Sequence, residues 1–204
     1  MSLKIGVLGS TKGTDLQPII DAIEGGEIDA EIACVISDNE NAFILERARD
    51  HGIDAIAMDY SGKDRLLFDK AAASEFDKRG VELVILIGFM RIVSPWMCKH
   101  YENRIMNIHP SLLPLFSGEM DANVHEEVLN KGIKVTGCTL HFVTPKVDEG
   151  PIIMQKPVMV DDSDTPDTLK EKVQGAEQEI LLEAIRMFSE GKIKVEGNRV
   201  KTLA

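Results

Sequence analysis

The amino-acid sequence predicts an α/β fold whose doubly wound sheet is mostly parallel, with antiparallel strands in the second half. Two observations lead to this prediction. Through the first two thirds of the 204 residues, short and continuously apolar runs alternate with segments of helical spacing, a pattern typical of parallel strands that are covered on both faces. Two longer apolar runs then follow each other across a short loop, which favours antiparallel pairing.

The first half supplies four strands and three helices in alternation. The predicted strands are LKIGVLG, AEIACVIS, DAIAM and ELVILIG, which begin at residues 3, 30, 54 and 82. The predicted helices occupy residues 15–24, 42–51 and 65–78, where apolar side chains recur every three or four positions. Because each helix connects two strands, the series predicts βαβ units and helices on both faces of the sheet.

The second half has a different pattern. A helix near residues 122–131 precedes the strand candidates KVTGCTLHFV and PIIMQKPVMV, which the loop TPKVDEG joins. Apolar residues recur at helical spacing through residues 168–189, and the preceding DDSDTPD offers N-cap residues and a proline suited to a first helical turn. The closing stretch KIKVEGNRVKT predicts a hairpin that turns at residues 196–198.

Composition restricts the class of protein. A chain of this length buries enough apolar surface for one domain over residues 1–204. No window approaches the roughly 18 apolar residues of a membrane span, and the start lacks the features of a signal peptide, so a cytoplasmic protein without membrane contacts is expected. The formal net charge of −11 argues against nucleic-acid binding. Cys34, Cys98 and Cys138 lack metal-ligand spacing and are expected to be buried free thiols.

Two loops at predicted strand ends are candidate binding sites. The stretch GSTKGTDLQ, residues 9–17, lies between the first strand and the first helix, where backbone N–H groups at a helix N-terminus suit a phosphate. A tight turn without a ligand is the competing interpretation. The stretch GFMRIVSP, residues 88–95, combines apolar side chains with the cation Arg91 and suits the wall of an apolar pocket, with ordinary core packing as the alternative.

The stretch NIHPSLLP, residues 107–114, is the candidate for chemistry. Asn107 and His109 are two positions apart, so both side chains point to one side of a strand, which Pro110 ends. Donors placed there can polarise a carbonyl oxygen, although a lone histidine is more often part of a core. Asp148, in the turn of HFVTPKVDEGP, is the candidate carboxylate, with a surface turn as the alternative.

These segments, in this order and at these separations, resemble the formyltransferase family, and within it the phosphoribosylglycinamide formyltransferases. The resemblance covers nearly the whole chain, from KIGVLGSTKGTDLQPIIDAI through GFMRIVSP and NIHPSLLP to HFVTPKVDEGPIIMQ and VQGAEQEI. It implies a Rossmann-like formyltransferase domain with a phosphate-binding half at residues 1–100 and a folate-binding, catalytic half at residues 101–204.

The resemblance also implies an activity and its site residues. The formyl group of the co-substrate 10-formyltetrahydrofolate would pass to the amine of glycinamide ribonucleotide in de novo purine synthesis, with small-molecule partners, a monomer or homodimer, and no metal. The implied catalytic residues are Asn107, His109 and Asp148. The implied substrate-binding residues are Thr11, Lys12, Gly13, Thr14, Asp15, Gln174 and Glu177. The implied folate-binding residues are Arg65, Phe89, Met90, Arg91, Ile92 and Val143.

Two segments depart from the family's pattern. The phosphate loop of the family usually reads Gly-x-Gly-Ser-Asn, and here Thr11 and Asp15 replace its first glycine and its asparagine. A negative charge at Asp15 would weaken the binding of a dianion, unless Lys12 compensates for it or Asp15 caps the helix and turns away. Leu115 also stands where a common form of the family has lysine, while His125 keeps its place in the following helix.

Related enzymes with the same three catalytic residues are the alternatives. A formyltetrahydrofolate deformylase uses water as the acceptor and usually carries an extra N-terminal domain, and methionyl-tRNA formyltransferase carries a C-terminal nucleic-acid domain; neither addition is expected within 204 residues. A formyltransferase acting on another amine also stays open. From a different class, a non-catalytic folate or nucleotide binder would keep the fold, but it predicts a damaged triad, and all three residues are present.

Overall fold

The computed structural model describes residues 2–59, 64–118 and 123–203. Contacts between residues divide the chain into two compact units. The first comprises residues 1–107 and 143–145, and the second comprises residues 108–142 and 146–204. The boundary that the resemblance implies at residue 100 and a single domain over the whole chain both stay predictions.

A parallel sheet with the strand order β3-β2-β1-β4-β5 forms the centre of the first unit. Its strands are β1 (Leu3–Leu8), β2 (Ala30–Ser37), β3 (Ala55–Ala57), β4 (Leu83–Leu86) and β5 (Ile105–His109). The last two residues of β5 belong to the second unit. Its helices are α1 (Leu16–Glu24), α2 (Phe43–Asp50), α3 (Arg65–Arg79) and α4 (Pro95–His100). Strands that proceed outward from β1 in both directions define a doubly wound fold, so the predicted α/β class is confirmed.

The central strands of this sheet are buried on both faces. Every residue of β4 is buried, and in β1 all residues except Lys4 are buried. The strands are continuously apolar in sequence because almost none of their positions faces water. Helix α3 contributes Phe68 and Phe76 to the same buried cluster as Leu8 and Val84 of these strands. All three cysteines are buried free thiols, as expected.

Helix α4 was not predicted from the sequence. It has six residues, which are too few for a helical apolar period to become visible. The Ser94 hydroxyl accepts a hydrogen bond from the N–H of Met97 as the N-cap, and Pro95 occupies the first turn. Both are start signals from which this helix could have been predicted.

The second unit combines antiparallel and parallel pairing. Its strands are β6 (Val135–Phe142), β7 (Ile152–Met159), β8 (Ile193–Glu196) and β9 (Arg199–Thr202). The pair β6 and β7 is antiparallel and β8 and β9 form a hairpin, both as predicted, while β9 joins the start of β7 in parallel. Its helices are α5 (Val124–Asn130) and α6 (Pro166–Ser189). The predicted start of α5 at residue 122 lies outside the described residues.

Helix α6 contacts β6 and β7 through an apolar face. Its buried residues recur every three or four positions and include Leu169, Val173, Ala176, Ile180 and Ala184. Thr165 and Thr168 form a capping box at its N-terminus, and Pro166 stands at the first helical position. In the part of the chain that the structure describes, neither α6 nor any other helix combines the length and apolarity needed to cross a membrane.

Two glycines allow a test of packing. A methyl group on Gly6 of β1 would lie 2.5 Å from Cε1 of Phe76, whereas one on Gly175 inside α6 would meet open space. We expect Gly6→Ala to lower the free energy of unfolding by about 1–3 kcal/mol through overpacking, and Gly175→Ala to raise it by about 0.5–1 kcal/mol. Urea denaturation measures both changes. Equal stability of Gly6→Ala and wild type would mean that Phe76 moves aside at no cost.

Candidate active site

The loops that follow β1 and β4 lie side by side in the first unit because these strands are parallel neighbours. The N–H of Ser10 donates to the carbonyl of Gly88 at 3.1 Å, and the Ser10 hydroxyl accepts from the N–H of Met90 at 3.1 Å. A methyl group on Gly88, whose φ is +55°, would lie 2.3 Å from Oγ1 of Thr11. The structure therefore brings together two of the predicted binding segments, residues 11–15 and 89–92.

The segment 11–15 mixes exposed and buried positions. Thr11, Lys12 and Thr14 are exposed, while Gly13 and Asp15 are buried. Gly13 has a φ of +63°, and a methyl group there would lie 2.3 Å from a side-chain carbon of α2, so both conformation and space require glycine. Asp15 occupies the N-cap position of α1, but its side chain makes no capping hydrogen bond. The interpretation of Asp15 as a helix cap is therefore wrong.

The segment 89–92 presents apolar side chains beside a packed ring. Phe89 is half-buried and stacks on Phe68 of α3, with the ring centroids 6.0 Å apart. Met90 and Ile92 are exposed over 47% and 42% of their surface. Val143, half-buried, packs against the same buried cluster as Phe89. The predicted folate-binding residues of this segment and Val143 thus belong to one region of the first unit.

The two arginines predicted to bind folate have different surroundings. The Arg91 guanidinium pairs with the carboxylate of Asp38, whose side chain is only 7% exposed. This ion pair fixes the guanidinium and compensates its charge, so Arg91 also holds the loop in place. Arg65 is exposed as the first residue of α3.

In the second unit, the Asp148 carboxylate lies between two imidazoles. Oδ2 of Asp148 is 3.6 Å from Nδ1 of His109 and accepts a hydrogen bond from the N–H of Gly118 at 2.9 Å. Oδ1 is 3.6 Å from Nε2 of His141. The side chains of His109 and Asp148 are 8% and 10% exposed. The structure therefore brings together two of the three predicted catalytic residues, and Asn107 is half-buried two positions before His109 on β5.

Burial and charge together determine the protonation states of His109 and Asp148. Burial lowers the pKa of His109, the Asp148 carboxylate partly offsets this effect, and the net pKa lies below the ordinary value. Burial raises the pKa of Asp148, but the neighbouring imidazole of His141, the hydrogen bond from the N–H of Gly118 and the positive charge that both histidines can carry bring it below its ordinary value. At neutral pH, Asp148 is therefore ionised and His109 is mostly neutral. Nε2 of His109 is buried and has no hydrogen-bond partner among the described residues.

His141 is the site residue that the sequence analysis missed. Its Nδ1 lies 3.0 Å from the carbonyl oxygen of Phe142, and since a carbonyl only accepts, Nδ1 carries a proton. Its Nε2 faces Oδ1 of Asp148 at 3.6 Å. The signal available in the sequence was a polar side chain inside the apolar run TLHFV. The structure places it on β6 and buries it to 2% exposure.

The loop that follows His109 is anchored by the buried hydroxyl of Thr139. This hydroxyl donates to the carbonyl of Ser111 at 2.7 Å and accepts from the N–H of Leu113 at 2.9 Å and from Nε2 of Gln155 at 2.9 Å. One donor and two acceptor sites are all that a hydroxyl has. Thr139 therefore uses its full hydrogen-bonding capacity to hold residues 111–113.

Replacing Thr139 by valine keeps the shape of the side chain and removes these bonds. We expect Thr139→Val to lower the free energy of unfolding by about 1–3 kcal/mol, because the N–H of Leu113 loses a buried partner. Thr139→Ser, which keeps the hydroxyl, is the matched control and should lose less. Chemical denaturation of the three proteins measures the difference, and a valine variant as stable as wild type would exclude this role.

Protonation of buried histidines should destabilise the protein in acid. Burial lowers the pKa of His109 and His125, and Lys170 lowers that of His125 further. The unfolded chain, in which these groups have a pKa near 6.5, then binds more protons than the folded chain. The free energy of unfolding therefore decreases as the pH falls below that value.

The variant His109→Asn lacks one of these titrating groups. Between about pH 7.5 and about pH 5.5 its loss of unfolding free energy should be smaller than that of wild type, by at most about 1.4 kcal/mol per pH unit. Denaturation curves across this range provide the measurement. Parallel pH profiles for the two proteins would contradict a lowered pKa of His109.

The remaining predicted residues lie on α6. Gln174 is half-buried, and Glu177, one turn later, is 8% exposed. Their contact with a substrate stays a prediction. Among the residues that the structure describes, no cluster of histidine, cysteine and carboxylate side chains is arranged to hold a metal ion.

Comparison with known proteins supplies the family. The chain matches the formyl transferase family model over residues 3–185. It is 39% identical over 197 residues to the phosphoribosylglycinamide formyltransferase of Escherichia coli (strain K12), covering 96% of this chain and 92% of that enzyme. It is 40% identical over 194 residues to the trifunctional purine biosynthetic protein adenosine-3 of Gallus gallus, covering 95% of this chain and 19% of that longer protein.

Solved structures agree with this match. Glycinamide ribonucleotide transformylase 1 from Symbiobacterium toebii has a TM-score of 0.94 at 46% identity, covering 100% of this chain and 95% of that one. A formyltetrahydrofolate deformylase from Burkholderia mallei has a TM-score of 0.91 at a lower identity of 28%, covering 100% of this chain and 71% of that one. From the family match and these identities it follows that the chain belongs to the formyl transferase family.

Proposed function

We propose that this chain transfers the formyl group of 10-formyltetrahydrofolate to the amine of glycinamide ribonucleotide, a step of de novo purine synthesis. The main supporting observation is His109, whose Nδ1 faces the Asp148 carboxylate while its buried Nε2 has no partner in the described part of the chain. A buried polar atom without a partner is costly, so a ligand oxygen or proton at Nε2 fits this arrangement. The names of the similar enzymes support the choice of substrates.

The proposed reaction is a direct attack. The lone pair of the amine forms a bond to the formyl carbon, and the carbonyl oxygen takes up the negative charge. Collapse of this tetrahedral intermediate breaks the bond between the formyl carbon and N10 of the folate. The amine loses one proton and N10 gains one, so the atoms balance without a covalent enzyme intermediate or a metal.

His109 and Asp148 move the proton in this proposal. The Asp148 carboxylate favours the tautomer of His109 with a proton on Nδ1, which leaves a lone pair on Nε2 in the neutral ring. Through a bridging water, Nε2 takes up the proton that the attacking amine releases, and the imidazolium and the amide of Asn107 stabilise the negative charge on the formyl oxygen. Asp148 holds the imidazolium, and Nε2 gives the proton to N10 as the bond between N10 and the formyl carbon breaks.

Each substrate has its proposed binding residues. The phosphate of the ribonucleotide binds at residues 11–15, where exposed Lys12 supplies the positive charge that buried Asp15 opposes. Gln174 and Glu177 meet the substrate, with Glu177 on the ribose hydroxyls. The folate binds along Phe89, Met90, Arg91, Ile92 and Val143, with Arg65 on a carboxylate of the folate or on a phosphate.

A turnover assay separates this proposal from its alternatives. Purified protein with 10-formyltetrahydrofolate should release tetrahydrofolate only when glycinamide ribonucleotide is present. Release without the ribonucleotide would identify a deformylase, an activity found among the structural relatives. No release in either reaction would favour another amine acceptor or a non-catalytic binder.

A monomer or homodimer in the cytoplasm is also part of the proposal.

Asp148→Asn tests the catalytic role directly. An amide keeps the shape but loses the charge that supports an imidazolium at His109, so we expect kcat to fall by about 10²–10⁴ with the fold retained. Asp162→Asn is the matched control, since Asp162 is 91% exposed and pairs only with Lys134 at 2.6 Å among the ion pairs of the described chain. Steady-state kinetics measure both, and an Asp148→Asn enzyme with a wild-type rate would exclude the assigned role.

A further inference from the structure

Residues 88–94, in the loop between β4 and α4, have no regular secondary structure. They nevertheless include the solvent-exposed Met90 and Ile92 and the packed ring of Phe89. Without a backbone ladder of its own, such a loop has a defined shape only where other elements hold it. The groups that hold it therefore determine the surface that it offers to a ligand.

The end of this loop is held by a buried carboxylate. Asp69 of α3 is 2% exposed and accepts a hydrogen bond from the N–H of Ser94 at 2.6 Å. The Ser94 hydroxyl oxygen accepts a hydrogen bond from the N–H of Met97 as the cap of α4. Ser94, itself 3% exposed, is thus bonded to Asp69 through its backbone and to the following helix through its side chain.

The start of the loop is held by Phe68, the residue directly before Asp69 on α3. Phe68 stacks on Phe89 with an interplanar angle of 23°. Consecutive residues of α3 therefore hold the two ends of the loop, Phe68 by apolar stacking and Asp69 by a hydrogen bond to its carboxylate. A hydrogen bond to a charged group is worth roughly twice a neutral one, and its geometry is narrower than that of a ring stack.

We infer that Asp69 is a positioning residue for the folate-binding loop: by fixing Ser94 it sets how Phe89, Met90 and Ile92 are presented to the pterin or benzoyl part of the folate. Asp69 makes no contact with substrate in this account. The inference rests on the proposed function, because it takes the ligand of this loop to be a folate. Asp69 would thus affect the affinity for the folate and not the rate of the chemical step.

The test compares Asp69→Ala with Asp77→Ala. Asp77 lies on the same helix and accepts hydrogen bonds from Tyr101 at 2.6 Å and His100 at 2.9 Å, so it joins α3 to the other end of α4. Both variants lose a link between the same two helices, and both should lose stability. Only Asp69→Ala disturbs the 88–94 loop.

Calorimetric titration with tetrahydrofolate and steady-state kinetics give the readouts. For Asp69→Ala we expect the Kd for tetrahydrofolate and the KM for 10-formyltetrahydrofolate to rise about tenfold or more, with kcat and the KM for glycinamide ribonucleotide within about twofold of wild type. Asp77→Ala should keep wild-type values for all four. Asp69→Asn keeps an acceptor for the N–H of Ser94 and should give an intermediate rise.

Each outcome has one meaning. Unchanged folate affinity in Asp69→Ala, or an equal rise in Asp77→Ala, would overturn the inference. If Asp69→Ala does not fold, Asp69→Asn decides, and wild-type folate affinity in that variant would overturn it. Wild-type protein that binds no tetrahydrofolate would instead overturn the proposed function.

Discussion

A buried carboxylate stays ionised only where hydrogen bonds and positive charge replace the water that it has lost, and the second unit is organised around this condition at Asp148. Oδ2 of Asp148 accepts a hydrogen bond from the N–H of Gly118 and faces His109, and Oδ1 faces His141. Asp148 itself has a φ of +55°, a conformation that costs energy for any residue with a side chain. The surrounding turn between two antiparallel strands has to compensate for this cost.

The loops of the first unit have a different requirement. They must hold N–H groups and apolar side chains at fixed places while leaving them exposed. The solution is a small number of bonds to rigid elements. Arg91 is held by Asp38, Met90 by Ser10, and Ser94 by Asp69. Each anchor is nearly buried or follows a strand end, whereas Met90 and Ile92 of the loop remain exposed. Rigid support with an exposed working surface is the usual arrangement of binding loops.

Much of this could be predicted from the sequence because it depends on local pattern. The strands and long helices follow from apolar periodicity, and the strand end at Pro110 placed Asn107 and His109 correctly on β5. The partners of the site residues could not be predicted in this way. Asp38 and Arg91 are 53 positions apart, and His141 acquires its meaning only when β6 places it beside Asp148. Contacts between residues so far apart in the sequence depend on the tertiary structure, which local sequence patterns do not reveal.

The expectation for Asp15 shows the limit of local rules. Aspartate at a helix start usually caps it, yet here the residue is buried and makes no capping bond. In a similar way α4 remained hidden because six residues provide no period, although its cap and its proline were present in the sequence.

Ser10 has a consequence for how two ligands influence each other. Its N–H and its hydroxyl join the segment after β1 to the segment after β4 through two hydrogen bonds, and these segments are the proposed sites of different substrates. A ligand that displaces either segment therefore acts on the same two hydrogen bonds that hold the other. Any coupling that these bonds transmit has the same size whichever substrate arrives first, because thermodynamic linkage is reciprocal.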